Sequence, residues 1–381
     1  MFFWFVNGRL AQLARATRLH RVGQRFKSSS AHTNMIQYNF KDDYSEGAHP
    51  SLLQALASAN LKQQFRGYGK DEYCDEAIKI IRNKIGNQDI DIHFASSGTQ
   101  ANLVIISSIL RPYESVISAN TGHINLHEAG ATEAIGHKIN AVETKNGKLT
   151  PENIKPIIDF HGDEHMVKPR LVYISNSTEL GSIYSKKELE ELSVFCKGNN
   201  LYIYLDGARL GSALTAQQND LTLHDISKLV DIFYIGGTKN GALLGEAIVI
   251  NNNLLKENFR FYLKQRGALL AKSMVLGIQF SELFKDDLFF ELGKHANVMA
   301  SKLAVGIKNL HGEFLIEPVS NQIFPIFPNK LIEKLSEEYG FYVWEKVDDE
   351  NSAVRLVTSW ATKEEFIDKF ISDLESDMTL R

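Results

Sequence analysis

Two cysteines, Cys74 and Cys196, are all that the 381-residue chain contains. That is too few for a secreted disulfide framework or a cysteine-rich metal site, so a reducing compartment is expected and a metal is not. Nowhere does the sequence approach the roughly 18 uncharged apolar residues needed to cross a bilayer. A strong excess of either charge is also missing. The 42 basic and 46 acidic residues leave a formal charge of -4, which argues against nucleic acid and membrane surfaces as partners. Internal repeats, low-complexity tracts and a Pro/Gly/Ser-rich linker are lacking too. With 44% hydrophobic, 10% aromatic and 23% charged positions, what remains is an ordinary globular protein of about two domains.

Acidic residues are wholly missing from residues 1–34, which hold Arg9, Arg15, Arg18, Arg21, Arg25 and Lys27. The chain after this basic leader carries 36 basic against 46 acidic residues, a formal charge of -10. An Arg- and Ser-rich stretch free of acids has the composition of a mitochondrial transit peptide. A second reading fits better. Ala11-Gln12-Leu13-Ala14-Arg15-Ala16 and Arg25-Phe26-Lys27-Ser28-Ser29 resemble the translated D-arm and T-arm consensus of a transfer-RNA gene. On that reading synthesis starts at Met35 and the leader is spurious. Peptides from residues 9–30 in the mass spectrum of the native protein would overturn it.

After Met35, β-branched and aromatic runs alternate with amphipathic helical stretches, the pattern of a mostly parallel sheet covered by helices on both faces. Seven strands are expected near 91–95, 114–118, 137–142, 170–175, 201–206, 231–235 and 246–251. Ala77, Ile78, Ile81 and Ile85 recur at helical spacing, as do Leu189, Leu192, Phe195 and Cys196, and read as core-facing stripes. From about Asp286 the chain turns to long helical stretches (286–309, 329–338, 362–377) around strand candidates at 321–327 and 353–358. The division expected is therefore 1–34, 35–285 as an α/β large domain with an N-terminal arm, and 286–381 as a smaller C-terminal α+β domain.

Three segments carry chemistry. Ser96-Ser97-Gly98-Thr99-Gln100-Ala101-Asn102 follows a strand and opens a helix, where free N–H groups and the positive end of the helix suit a phosphate. In Tyr204-Leu205-Asp206-Gly207-Ala208-Arg209 an apolar strand ends in a carboxylate, at the edge of the crevice where open α/β sheets bind ligands. Such an acid needs a cation, and a protonated ring nitrogen would serve. Gly236-Gly237-Thr238-Lys239-Asn240-Gly241 places a lysine in the same crevice, where desolvation makes an amine nucleophilic. Phosphate turn, strand-end Asp and strand-end Lys occur in the chain order of pyridoxal phosphate enzymes, in which a lysine forms the Schiff base and an acid holds the pyridinium proton.

With these segments in place, residues 36–378 resemble the pyridoxal phosphate-dependent threonine aldolase and aromatic amino acid β-eliminating lyase family. The motifs are Gly-Thr-Gln-Ala-Asn at 98–102, His123 with Glu128-Ala129-Gly130, Asp206-Gly207-Ala208-Arg209, Thr238-Lys239, and Arg355-Leu356-Val357-Thr358. The resemblance implies fold type I, aspartate aminotransferase-like. It implies that Lys239 carries the cofactor, that Asp206 pairs with its ring nitrogen, that Gly98 and Thr99 hold its phosphate, and that Ser97, Thr238 and Arg209 also bind it. His123 matches the histidine that stacks on the ring. Arg209 and Arg355 match the arginines that grip the substrate carboxylate, a task suited to a planar bidentate fork. His165 falls near a family histidine close to the substrate hydroxyl. Tyr68-Gly69 with Asp71 resembles a segment at the mouth of the site, and Asn176 and Thr178 align beside the cofactor. Lys264, Arg266 and Lys272 resemble a basic segment that reaches a neighbouring subunit's phosphate, which implies a homodimer or homotetramer with shared active sites.

Some positions depart from the family pattern. Asp42-Asp43 stands where Ser-Asp is common, setting an extra acid where the substrate anion is expected, and His127 replaces an aromatic residue. The lysine loop reads Gly-Gly-Thr-Lys-Asn-Gly in place of Ser-Lys-Gly-Leu-Gly. The activity implied is aldol cleavage of L-threonine or L-allo-threonine to glycine and acetaldehyde, with catalysis by Lys239, Asp206, His123 and His165 in the cytoplasm, or in mitochondria if the leader is genuine. Two alternatives share the site: β-elimination, or aldol cleavage of bulkier substrates such as phenylserine. A third is an inactive scaffold. Which histidine or water is the base, the β-carbon stereochemistry and the number of subunits stay open at this stage.

Overall fold

The computed structural model describes residues 38–62 and 66–379; the basic leader lies outside them. The seven apolar runs become β1 (Asp91–Ala95), β2 (Glu114–Ala119), β3 (Ile139–Val142), β4 (Lys168–Ser175), β5 (Tyr202–Asp206), β6 (Ile232–Gly236) and β7 (Glu246–Ile250). They form one sheet in the order β1-β7-β6-β5-β4-β2-β3. Every residue of β2, β6 and β7 is buried, as expected where both faces of a parallel sheet are covered. The sheet is parallel except for β7, which runs against both β1 and β6.

Helices α1 (Pro50–Ala59), α2 (Glu72–Ile85), α3 (Gly98–Ile109), α4 (Lys186–Gly198), α5 (Met274–Lys285), α6 (Leu288–Asn309) and α7 (Glu364–Thr379) include the principal layers. Their ends are written locally. Asp71 accepts from the Cys74 amide to start α2, and Ser185 with Glu188 forms a capping box on α4. One core, including Ile81, Val172, Leu192, Phe233 and Phe280, fills one face of the sheet. Another, including Val104, Val116, Tyr173, Tyr204 and Ile248, fills the other.

Towards the C-terminus a second sheet is built from β8 (Glu313–Phe314), β9 (Gln322–Ile323), β10 (Pro325–Pro328), β11 (Tyr342–Lys346) and β12 (Asn351–Val357). The strand expected at 321–327 is split into β9 and β10 at Phe324. Edge strand β11 was not expected, although Tyr342-Val343-Trp344 is a β-prone run; its five residues are largely exposed. Strand Tyr38–Asn39 pairs with Tyr339–Gly340, and Phe40 donates to the Gly340 carbonyl at 2.6 Å while its own carbonyl accepts from Val357 at 2.9 Å. Phe40 is thereby buried with Leu303, Ile307, Leu356 and Phe370. The described residues form a compact unit.

Candidate active site

The carboxyl ends of β4, β5 and β6 converge on one acid. Asp206 Oδ2 accepts from the Tyr173 hydroxyl at 2.6 Å and Asn102 Nδ2 at 3.4 Å; Oδ1 accepts from the Tyr234 hydroxyl at 2.5 Å and the Ala208 amide at 3.0 Å. Burial, reinforced by Asp206, pushes both phenols well above the ordinary tyrosine range, so they stay protonated and donate. Gly207 follows because a Cβ there would lie 1.9 Å from the Tyr234 carbonyl oxygen. The close approach of two strand ends excludes any side chain.

Lys239 lies beyond β6, partly buried, with Nζ 5.9 Å from the Tyr44 ring centroid. Burial and then Arg209 lower its pKa, against Asp43, Asp206 and Glu246. At the start of α3 the Ser97 hydroxyl takes the Gln100 amide and the Ser97 carbonyl takes the Ala101 amide. The amides of Gly98 and Thr99 belong to the first turn, where a helix offers N–H groups to an anion. Gly98 packs on the sheet's acid cluster, since a Cβ there would lie 3.0 Å from the Tyr234 hydroxyl.

His123 is half-exposed and aimed by a buried acid. Its Nδ1 lies 2.8 Å from Glu128 Oε1, which also accepts from Asn102 Nδ2 at 2.6 Å. A carboxylate acceptor makes Nδ1 the donor and leaves Nε2 as the free basic nitrogen. Asn102 is held in turn by the Tyr204 hydroxyl. His123, Glu128, Asn102 and Asp206 thus form one continuous chain of hydrogen bonds. The His123 amide also donates to Glu179 at 2.8 Å.

The two arginines differ. Arg209 gives Nε and a terminal nitrogen to Asp43 at 2.7 and 2.9 Å, and Asp43 takes a third bond from Asn321 at 2.9 Å. Arg355 packs between Tyr342 and Trp344, 5.4 Å from each ring centroid, and donates to the Lys41 carbonyl at 3.0 Å. Its buried Nε has no hydrogen-bond partner among the described residues. Lys239, Arg209 and Arg355 all act on their neighbours' titration, and His127 is held below the ordinary histidine range by burial, then by His123, Arg355 and Lys239. Acids offset these cations, since Asp43, Asp206 and Glu246 all act on Lys239.

Other expected residues are placed differently. His165 is 86% exposed and bonded to Asp163. It precedes β4, whereas Ser175 at the far end of that strand pairs with Asp206. At about 3.3 Å per residue, the strand between them spans roughly 23 Å. Thr178 is fully buried and spends its hydroxyl on Ser182 and the Asn146 carbonyl, and the Thr238 hydroxyl lies 2.9 Å from Glu246. Asp42 accepts from the Tyr44 amide at 3.2 Å and does not meet Arg209; its neighbour Asp43 does. Tyr68, at φ +58°, lies under Lys264, 4.8 Å from its ring, with its carbonyl on Arg260. The Arg266 carbonyl takes Gln100 of α3 at 3.2 Å, so the basic segment borders its own chain's phosphate turn; Lys272 is exposed. Sequence reasoning assigned no role to Asn102, Glu128, Asp43, Glu246 or the three strand tyrosines. The tyrosines could have been noticed as polar tips inside otherwise apolar strands.

Pyridoxal phosphate fits what is present: a helix start for its phosphate, a buried strand-end carboxylate for its ring nitrogen, an imidazole beside the crevice and a lysine of lowered pKa. The family described as beta-eliminating lyase matches residues 42–327. A low-specificity L-threonine aldolase of Pseudomonas sp. (strain NCIMB 10558) is 32% identical over 354 residues, covering 91% of this chain and 99% of the relative. The one from Pseudomonas aeruginosa is also 32% identical, over 90% and 98%. A solved Leishmania major threonine aldolase superposes with a TM-score of 0.87 at 47% identity, covering 89% of this chain and 99% of that one. A Thermus thermophilus aspartate aminotransferase shares the fold alone, with a TM-score of 0.68 at 15% identity. Matched along most of its length and built around the residues this cofactor requires, the chain belongs to the β-eliminating lyase family of pyridoxal phosphate enzymes.

Proposed function

We propose that the protein cleaves a β-hydroxy-α-amino acid, L-threonine or L-allo-threonine, to glycine and an aldehyde. The observation that carries this reading is the hydrogen-bonded chain from His123 through Glu128 and Asn102 to Asp206. It ties a base at the mouth of the crevice to the acid at its floor. When bound, the cofactor would supply an electron-poor ring as a sink for the electron pair of the Cα–Cβ bond. Asp206, fixed by two phenols and two N–H donors, holds the proton at the ring nitrogen. Lys239, its pKa lowered by burial and then by Arg209, is the amine that would hold the cofactor. Arg355 takes the substrate carboxylate, and Arg209, locked by Asp43, adds a fixed positive charge beside it. His123 Nε2 removes the β-hydroxyl proton, with Nδ1 anchored on Glu128.

Residues 35–285 carry this machinery and 286–381 bring Arg355 to it. A cytoplasmic location accords with the two buried free cysteines, and no described helix is long and apolar enough to cross a membrane. Assembly as a homodimer or homotetramer is supported by Tyr44, Leu126 and Leu243, large apolar side chains about half exposed on segments that carry site residues. The deciding test adds L-threonine to purified protein and to Lys239→Ala. Glycine and acetaldehyde from the first, with loss of both activity and visible absorbance in the second, support the reading. Pyruvate and ammonia as products, or full activity in Lys239→Ala, refute it.

A further inference from the structure

Because β7 runs against its neighbours, its first residue sits where theirs end. That residue is Glu246, in register with Ala95 of β1 on one side and Gly236 of β6 on the other. Ala95 leads into the Ser97-Gly98-Thr99 turn and Gly236 into Thr238-Lys239. A carboxyl group 4% exposed therefore lies in the floor between the phosphate turn and the lysine loop. Given the cofactor reading above, on which this inference rests, a phosphate dianion faces an acid there, and two anions in a buried site oppose each other.

The hydrogen bonds around Glu246 show how the conflict is resolved. Oε2 accepts from the Gly237 amide at 3.1 Å, while Oε1 lies 2.9 Å from Thr238 Oγ1, which itself accepts from the Gly245 amide at 3.0 Å. An ionised Glu246 captures the Thr238 hydroxyl proton. A neutral Glu246 must carry its proton on Oε1, because Oε2 already faces an N–H donor. It then donates to Thr238 Oγ1, and the threonine proton turns outward. Thr238 is only partly buried and can present that proton to the crevice.

We propose that Glu246 is a positioning residue that keeps a proton against Thr238 and thereby turns the Thr238 hydroxyl into a donor to the cofactor phosphate, so that protonation of Glu246 and cofactor binding favour each other. The titratable groups facing it are Lys239, Asp206, Tyr204 and Tyr234. Burial, with Asp206 in the same sense and Thr238, Lys239 and the Gly237 amide against it, pushes the carboxyl up to about 8. It is neutral below that value and charged above, so the coupling is visible between pH 7 and 9.

The experiment titrates full-length apoenzyme with pyridoxal phosphate, and separately with pyridoxal, from pH 6.5 to 9.5. Glu246→Gln keeps a donor on Thr238 at every pH. One pH unit past the titration, wild type loses about tenfold in pyridoxal phosphate affinity relative to Glu246→Gln, and the two agree near pH 7. With pyridoxal, which has no phosphate, the difference vanishes. Thr238→Val, which keeps the shape without the hydroxyl, binds pyridoxal phosphate more weakly and shows no such pH difference from Thr238→Val/Glu246→Gln. Identical pH profiles for wild type and Glu246→Gln, or a difference that persists with pyridoxal, overturn the inference. Wild type that takes up no pyridoxal phosphate at any pH overturns the proposed function instead, and this inference with it.

Discussion

Asp43→Ala should be among the most damaging single substitutions in the chain. Asp43 is 1% exposed and Arg209 11%, and the carboxylate accepts two bonds from the guanidinium and one from Asn321. Removing it leaves a buried cation without its counterion. Breaking a buried pair from one side costs about 3–5 kcal/mol, while removing both charges together is often nearly neutral. Asp43→Ala should therefore lose about 3–5 kcal/mol of unfolding free energy, and Asp43→Ala/Arg209→Leu should recover much of it. The sign with pH also follows. Burial alone would push Asp43 up, but Arg209, Lys239 and Asn321 outweigh it and hold the carboxyl below the ordinary aspartate value. That stabilisation is present above the unfolded value and lost as pH falls through the folded one, so the gap between wild type and Asp43→Ala should narrow in acid. Urea unfolding followed by circular dichroism at pH 7 and at about pH 3, below the ordinary aspartate value, measures both quantities. A loss below about 1 kcal/mol for Asp43→Ala, or a double variant as unstable as the two singles added, would refute the reasoning.

Glu128→Ala should lower kcat by about tenfold to a hundredfold and leave cofactor binding nearly intact, because it frees the His123 ring to turn; in a His123→Ala background the same change should do nothing further, as steady-state kinetics would show. Gly207→Ala should cost about 3 kcal/mol in chemical denaturation, since the new methyl meets the Tyr234 carbonyl at 1.9 Å. A fully stable variant would mean that the strand ends separate easily. Phe370→Ala, which empties a fully buried position against Phe40 and Tyr339, should lose about 3–5 kcal/mol by the same assay; a loss under 1 kcal/mol would show that the C-terminal core can collapse around the gap.

Much of the main sheet was legible because its strands are buried on both faces and read as unbroken apolar runs. Strand β11 went unassigned although Tyr342-Val343-Trp344 is β-prone; it lies at an exposed edge, and its place in the sheet comes from pairing with β12. At the site, Lys239, Asp206 and the phosphate turn stand at strand or helix ends, where local sequence announces a ligand crevice. Asp43 does not: its partner Arg209 is 166 residues away, and only folding joins them. Glu246 was hidden inside a strand otherwise suited to the core, since an acid there makes sense only once the antiparallel register brings it between two loops. His165 shows the converse. Resemblance to a family histidine suggested a site residue, but the direction of β4 sets it before the opposite end of that strand.

The seam between Phe40 and the C-terminal core sets the order of events while the chain is being made. Phe40 has its contacts only after Gly340, Val357 and Phe370 exist. At about 5–20 residues per second, that is a wait of roughly 15–65 s on the ribosome. Asp43 follows three residues later and shares the delay, so Arg209 waits for its counterion during about the second half of that interval. A nascent chain that has completed all seven strands of the main sheet is still without the arm that closes its active site. Docking of that arm therefore waits for synthesis of the C-terminal core.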